Sequence, residues 1–338
     1  MKLAYVQQHT SMYLASSVVQ RALRRVVMGR QPAPGAAHLE ELKRRFHRLL
    51  AQDFAHAVAG TYPMSLLFSL PVAHYVRQLP RLAADLPRVF RRMKRRDYKD
   101  LPEAVDLREY PPYYRRTFHW QSDGYLSRKS AQLYDVGVEL LFGGTADVMR
   151  RQILAPIVAH ARRSQSPARI LDVACGTGRA LAQLRTALPD ADYEALDLSR
   201  FYLDEARERL GRPDNVRFIE GNAERLPQAD ASFDVVFSVF LFHELPRNAR
   251  RNVLAEMLRV VAPGGLVVIE DSIQRGDAAG LSFFAERFSE DMHEPFYRDY
   301  LADDLSEAMR EVGLEVVEVV DAFLSKVVVA RRPPPVLH

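Results

Sequence analysis

The sequence predicts an α/β protein: a doubly wound, seven-stranded sheet that ends in an antiparallel hairpin, preceded by a basic helical region. Three observations carry this expectation. From Ala168 onward, short branched-apolar runs alternate with helical stretches, the pattern of a parallel sheet. The segment ILDVACGTGRAL, Ile170 to Leu181, joins one such run to a helix through a small-residue loop with two glycines. The last two apolar runs, LEVVEVV and FLSKVVVARR, lie too close together for a parallel crossover and must pair antiparallel.

Taken in order, ARILDVA reads as the first strand and RALAQLRTAL as a helix stopped by Pro189. DYEALDLS, VRFIEGN and FDVVFSVF follow as strands, with the helix FYLDEARERL after the first of them. RNARRNVLAEMLRVVAPGG reads as a helix with Gly264 and Gly265 as its stop and turn, ahead of the strand LVVIEDS. The helix DDLSEAMREVG precedes the closing hairpin. These elements define a domain over residues 166–338.

Residues 1–110 read as a separate helical domain. Apolar residues recur at three- and four-residue spacing in Val18 to Val27 and in Leu39 to Phe54. Pro32, Pro34 and Gly35 separate these two helices, and Pro71, Pro80 and Pro87 are expected to punctuate the later ones. His38, His47 and His56 are nine residues apart, so successive ones face opposite sides of a helix and make a poor metal site. The net charge of +4 conceals an asymmetry: residues 1–100 hold 18 Lys and Arg against 6 Asp and Glu, and the rest of the chain is acidic. The basic excess peaks in Arg77 to Lys99, with nine basic and two acidic residues. Such a surface suits peripheral contact with anionic lipid, or forms a solvated helical face. No aromatic-interleaved recognition motif accompanies it, so nucleic acid is not expected.

Composition is that of a globular protein, 48% hydrophobic and 27% charged. The single cysteine, Cys175, excludes an internal disulfide and fits a reducing, cytoplasmic compartment. Gln7, Gln8 and His9 stand where an export signal would place its apolar run. The longest apolar stretch, Tyr62 to Val76, is too short to span a bilayer.

Residues 111–165 are aromatic-rich, with Tyr113, Tyr114, Phe118, Trp120, Tyr125 and Tyr134 interleaved with Arg115, Arg116 and His119. They can form a lid lining a pocket for a flat or apolar substrate, or a hydrophobic clamp between the domains.

A glycine loop between strand and helix points amide N–H groups at a ligand and lets the backbone approach it. Nicotinamide and flavin enzymes use the same device. Three features favour a different ligand. Asp172 ends the strand before the loop, where a carboxylate suits an ammonium group better than a pyrophosphate. Asp197 lies 21 residues beyond Gly176 at the tip of the second strand, where a carboxylate can accept from a ribose diol. The terminal hairpin is foreign to ordinary dinucleotide folds. A nucleoside with an amino-acid tail and no phosphate satisfies all three.

DVACGTG, with ALDLS, GNAERLP, FDVVFSVFLFHELP and APGGLVVIEDS after it, resembles the class I S-adenosylmethionine-dependent methyltransferases. Within them it is most similar to the ubiquinone/menaquinone C-methyltransferase group, over Ser127 to Arg332. The stretch from YYRRTFHWQSDGYLS through FGGTADVMRR resembles a bacterial and plastid branch of that group. The resemblance implies a Rossmann-like fold with S-adenosyl-L-methionine as cofactor and S-adenosyl-L-homocysteine as product. It implies that Asp172, Ala174, Gly176 and Gly178 form the methionine-side loop, with Thr177 lining it. Asp197 would bind the ribose and Leu198 would pack on adenine, with Asn222, Ala223 and Glu224 along its edge. Asn222 departs from the commoner aspartate, but its carbonyl oxygen can still accept from the adenine amino group. Phe240 would border both cofactor and substrate, and Tyr134 would reach the cofactor's carboxylate end. Cys175 reads as a small packing residue, although a helix N-terminus can activate a thiolate.

Methyl transfer requires alignment of donor and acceptor and, for a weakly acidic acceptor, removal of a proton. His243 in FHELP, at the carboxyl end of the fourth strand, is the candidate base because histidine titrates near neutrality. Glu244 is its orienting partner or acts instead. His293 and Glu294 lie in a segment expected to cover the substrate. No CxxC, HExxH or facial-triad spacing occurs, so no metal is expected. The acceptor expected is a small apolar or amphipathic molecule, quinone-, lipid- or natural-product-like. The alternatives are a protein or nucleic-acid methyltransferase holding its substrate on the basic domain, a non-catalytic cofactor-binding module and, more distantly, a nicotinamide dehydrogenase.

Overall fold

Two apolar clusters, one on each face of a single sheet, organise the chain. The computed structural model describes residues 1–28, 35–211, 213–281, 288 and 292–334. Pro32, Pro34, Ser289, Glu290, Asp291 and the last four residues, named or spanned above, lie outside that set.

The amino-terminal region is built of α1 (Lys2–Met28), α2 (Ala36–Val58) and α3 (Val72–Arg95). A stretch of short 3-10 turns then leads to α4 (Arg128–Leu141), α5 (Ala146–Arg150) and α6 (Leu154–Ala161). The sheet region follows as β1 (Arg169–Val173), α7 (Arg179–Ala187), β2 (Asp192–Asp197), α8 (Arg200–Leu210), β3 (Val216–Glu220) and β4 (Phe233–Val239). It continues with α9 (Arg247–Val260), β5 (Val261–Ser272), α10 (Tyr297–Ala302), α11 (Leu305–Glu311), β6 (Glu315–Ala322) and β7 (Ser325–Arg331).

The strand order is β3-β2-β1-β4-β5-β7-β6. β1 to β5 run parallel, and β7 pairs antiparallel with both β5 and β6, as the short connection required. The central strands are continuous Ile, Leu and Val runs because helices cover both faces. Side chains alternate in consequence: Ile170, Val235, Phe237 and Val268 point to one cluster, Leu171, Val236, Val267 and Ile269 to the other. The first cluster receives Leu181 and Leu184 of α7, Ile157 of α6, and Phe46, Leu49 and Leu50 of α2. The second receives Val253, Leu254 and Met257 of α9 and Met309 of α11. α2 therefore shares one core with the sheet.

A buried ionic cluster ties α2 to α1 and to the turn that follows α5. Asp53 of α2 is fully buried and accepts from Arg151 Nε at 2.9 Å and Nη2 at 2.7 Å. It also accepts from Tyr62 Oη at 2.6 Å and from the Tyr5 hydroxyl of α1. Burial opposes the charge, but Arg151 and the two hydroxyls hold the carboxyl below its ordinary range.

Two sequence expectations are corrected. Pro80 and Pro87 do not punctuate the helices; both lie inside the continuous α3. They are seven residues apart and exposed, so their missing N–H groups fall on the solvent side, where water meets the freed carbonyls. Gly264 and Gly265 do not stop α9, which ends at Val260 and passes directly into β5. Residues 261–265 form an irregularity against β4, with Gly264 at φ 79° and Arg332 N–H donating to Gly265 O at 3.0 Å. A Cβ on Gly265 would meet the Ala262 and Asp234 carbonyl oxygens at 2.8 Å, so glycine is needed for a bulge rather than for a cap.

Candidate active site

Strand order reverses between β1 and β4, and the crevice beyond their carboxyl ends is where an open α/β sheet binds ligands. A cavity occupies that position. Of the residues expected to bind cofactor, Tyr134, Asp172, Ala174, Gly176, Thr177, Asp197, Leu198, Asn222, Ala223 and Phe240 line it.

The loop after β1 owes its shape to three left-handed residues, Ala174, Gly176 and Gly178, at φ 61°, 55° and 73°. A Cβ on Gly176 would meet nothing within 4 Å, whereas one on Gly178 would press on Ala206 Cβ at 3.1 Å. Gly178 thus serves the packing of α7 against α8, and Gly176 keeps the backbone open to the cavity. Asp197 Oδ2 accepts from Gly176 N–H and Oδ1 from Ser199 N–H, both at 2.8 Å. Burial raises its carboxyl to about 6, although these amides pull the other way. Asp172 is 1% exposed, and its Oδ2 has no hydrogen-bond partner among the described residues. Burial, reinforced by Asp197, holds this carboxyl well above the ordinary range. A buried carboxylate without a partner lacks a cation.

Other residues depart from the expected arrangement. Glu224 does not line the cavity: its carboxylate accepts from Tyr113 Oη at 2.7 Å and Asn252 Nδ2 at 2.9 Å, tying the aromatic segment down. Asn222 Oδ1 accepts from Glu224 N–H at 2.9 Å, which leaves it one lone pair for an adenine. Thr177 Oγ1 donates to Asp135 at 2.8 Å. Cys175 is buried, and burial raises its thiol well above the ordinary value, which agrees with a packing role. Sequence reasoning missed Arg150, a buried cation on the cavity wall that pairs with Asp147 at 3.0 Å. Its signal was weak: Arg150 stands beside Arg151 and Gln152 in VMRRQIL, and the sequence does not say which of them faces the cavity.

A second cavity is lined mainly by apolar side chains of α3 and α4, including Leu86, Phe90, Leu133 and Leu141. Tyr134 and Phe240 belong to the walls of both cavities. Four ionisable residues gather where the two meet. His119 and His243 line the apolar cavity and Glu244 the other. His119 Nε2 lies 3.2 Å from Glu244 Oε1, and its Nδ1 lies 2.8 Å from Glu294 Oε1. The Tyr125 hydroxyl donates to Glu244. His243 Nδ1 lies 2.7 Å from Asp271 Oδ1, and Asp271 Oδ2 accepts from Phe242 N–H at 2.7 Å. One donor atom from each of His119, His243, Glu244 and Glu294 falls within 4.8 Å of the others, a set of two imidazoles and two carboxylates able to hold a divalent ion. Spacing rules could not find it because the four come from three separate loops. His293 does not join them; it stacks between Tyr98 and Trp120, and burial lowers it to about 4.

His243 does not titrate near neutrality as the sequence suggests. Burial works against its charge, but Asp271 outweighs it and raises the imidazole to about 9. His119, between two carboxylates, is raised to about 10 against the same opposition. The carboxylates around them thus favour the protonated form of both rings.

Residues 170–265 match the family model described as a methyltransferase domain. The chain is 33% identical to the ubiquinone/menaquinone biosynthesis C-methyltransferase UbiE of Stutzerimonas stutzeri over 197 residues, covering 57% of this chain and 69% of that protein. The chain belongs to the class I S-adenosylmethionine-dependent methyltransferases. It is also 39% identical to the demethylmenaquinone methyltransferase of Deinococcus radiodurans over 140 residues, 41% of this chain and 55% of that one. To a phthiotriol/phenolphthiotriol dimycocerosates methyltransferase of Mycobacterium ulcerans the identity is 40% over 103 residues, 30% and 37% of the two chains. The chain spans about half the length of the first curated relatives it matches.

S-adenosylmethionine is the cofactor of this methyltransferase family, and the cavity fits it. Asp172 Oδ2, buried and without a hydrogen-bond partner among the described residues, suits an ammonium group, and Arg150 with Tyr134 on the same wall suits a carboxylate. Asp197 stands at the tip of β2, and Leu198, Asn222 and Ala223 line the same cavity.

Proposed function

We propose that this chain transfers a methyl group from S-adenosylmethionine to a small apolar or amphipathic acceptor bound in the second cavity. One observation carries the reading: the apolar cavity and the cofactor cavity share Tyr134 and Phe240, so a molecule filling the first abuts a ligand in the second. The relatives named for demethylmenaquinone and phthiotriol dimycocerosates support an acceptor of quinone or lipid character.

When bound, the cofactor supplies an electrophilic methyl group on a sulfonium. The protein's own part is alignment, exclusion of water and management of the acceptor's proton. Tyr134 and Phe240 hold the acceptor against the cofactor side. His243, kept cationic by Asp271, stabilises negative charge developing on an acceptor oxygen. Glu244, on the cofactor side of the junction, takes the proton. His119, between Glu244 and Glu294, fixes where that carboxylate points. We place the enzyme in the cytoplasm, in keeping with its single cysteine, and in peripheral contact with a membrane through its basic amino-terminal region.

The test follows label from methyl-labelled S-adenosylmethionine into a cell extract supplied with the enzyme. Label in the organic-soluble fraction, absent with Asp197→Ala, is expected. Label in the acid-precipitable fraction would replace the acceptor by a macromolecule. Cofactor binding without label in any fraction would overturn the enzymatic reading.

A further inference from the structure

The apolar cavity lies against two helices that leave apolar side chains in water. On α3, Val72, Val76 and Leu79 are 54%, 57% and 43% exposed and recur at i, i+4 and i+7, one stripe of the helix. The stripe continues into the cavity wall as Leu82, Leu86 and Phe90. On α1, Leu14 and Val18 are each 59% exposed, while Val19 is 43% exposed and also lines the cavity. Val19 therefore marks the mouth, with α1 on one side and α3 on the other.

Charge borders the same surface. Arg77, Arg81 and Arg88 are exposed on the far edge of the solvent face of α3, across Ala73, Pro80, Ala84 and Pro87 from the apolar stripe, and among the described residues none forms an ion pair. Arg21 and Arg25 are exposed at three and seven residues beyond Val18, on its own face of α1. A merely solvated helix face has no reason to hold branched apolar residues in line with a cavity. A nucleic-acid surface would engage the arginines and leave Val72, Val76 and Leu79 wet. An amphipathic helix lying in a lipid interface needs both groups, apolar residues for the acyl boundary and arginines for the headgroups.

We propose that α1 and α3 dock on an anionic lipid bilayer with the cavity mouth turned toward it. An apolar acceptor could then pass from the bilayer into the site without crossing water. The inference deepens the peripheral membrane contact proposed above, and it rests on the methyl-transfer reading only for what the bilayer delivers.

The experiment is vesicle co-sedimentation of the full chain at about 0.15 M salt, with no cofactor, acceptor or turnover. One set of vesicles is phosphatidylcholine alone; the other contains about a third phosphatidylglycerol. Wild type should pellet with the anionic vesicles. The double variant V76D/L79D should bind at least about tenfold more weakly while keeping its circular dichroism and its affinity for S-adenosylhomocysteine. Val76→Trp should be quenched by bromine-labelled lipid, as expected for a side chain within the acyl boundary. Wild type remaining in the supernatant would overturn the proposal. So would equal binding by V76D/L79D, or Val76→Trp left unquenched, because either means adsorption by charge alone. Duplex DNA binding that survives V76D/L79D, with no vesicle binding, would reassign the face to a polyanion. None of these failures touches the labelled-methyl result, so the two readings fall separately.

Discussion

The Asp53 cluster and the His243 cluster use similar materials, buried carboxylates and cations with tyrosine hydroxyls between them. Their surroundings differ. Asp53 has a bidentate arginine and two hydroxyls, and Tyr5, Tyr62 and their apolar neighbours close around it. Around His243, the cations and carboxylates stand at the junction of two cavities, and His119 and His243 have cavity on one side. The same chemistry, sealed, holds α2 against α1 and the turn after α5; opened on one side, it can act on a molecule that enters. Burial and charge alone do not distinguish structure from function here. Access does.

The largest expected effect tests the open cluster. His243→Gln and Glu244→Gln should each lower turnover by about 10²- to 10⁴-fold, the usual contribution of a group that handles a proton or a developing charge. Cofactor affinity should change little, since Asp172, Asp197 and Arg150 remain. Cofactor titration beside steady-state kinetics reads the split; parallel loss of both would make His243 structural.

Asp53→Ala tests the sealed cluster in the other currency. Removing one partner leaves Arg151 charged and buried, which costs about 3–5 kcal/mol. Denaturant unfolding should show that loss, and the folded fraction should keep cofactor affinity. Replacement by Asn, which retains hydrogen bonds to Tyr5 and Tyr62, should cost less.

This comparison also explains what the sequence disclosed. The glycine loop and Asp172 were legible because one turn between a strand and a helix fixes them locally, and Asp197 because it ends the next strand; Asp172, Gly176 and Asp197 line the cavity. The antiparallel β6–β7 pair was legible from connection length alone. The His119–Glu294 contact was not, because 175 positions and the packing of the aromatic segment over β4 and β5 separate the two residues. Arg151 and Asp53 are likewise 98 residues apart. The prolines in α3 misled for the opposite reason: a local rule of helix breaking lost to two exposed positions on one face. The basic bias of the first hundred residues was visible, but not that α2 shares the core of the sheet.

A smaller effect is expected at Asp172. Asp172→Asn keeps the size and one acceptor but removes the group that would carry charge opposite the ammonium in the proposed cofactor pose. Affinity for S-adenosylhomocysteine should fall by about tenfold to a hundredfold, the worth of a charge-assisted hydrogen bond. Calorimetry would check this. An unchanged affinity would mean that Asp172 only shapes the loop.

The finest distinction is in pH, where the two clusters have opposite signs. Asp53 is depressed in the folded state, so its stabilisation is present above the unfolded carboxyl value of about 4 and is lost as pH falls through the folded value. His243 is raised to about 9, so its stabilisation is complete below about 6.5 and is lost as pH rises through 9. Between those limits it contributes a slope of up to about 1.4 kcal/mol per pH unit. His243→Gln should flatten the alkaline side of the stability profile and leave the acid side unchanged, while Asp53→Asn should do the reverse. Turnover gives the sign a second reading. With His243 acting as a cation, activity should fall as pH passes about 9; a rise there would restore it to the role of base and remove that role from Glu244.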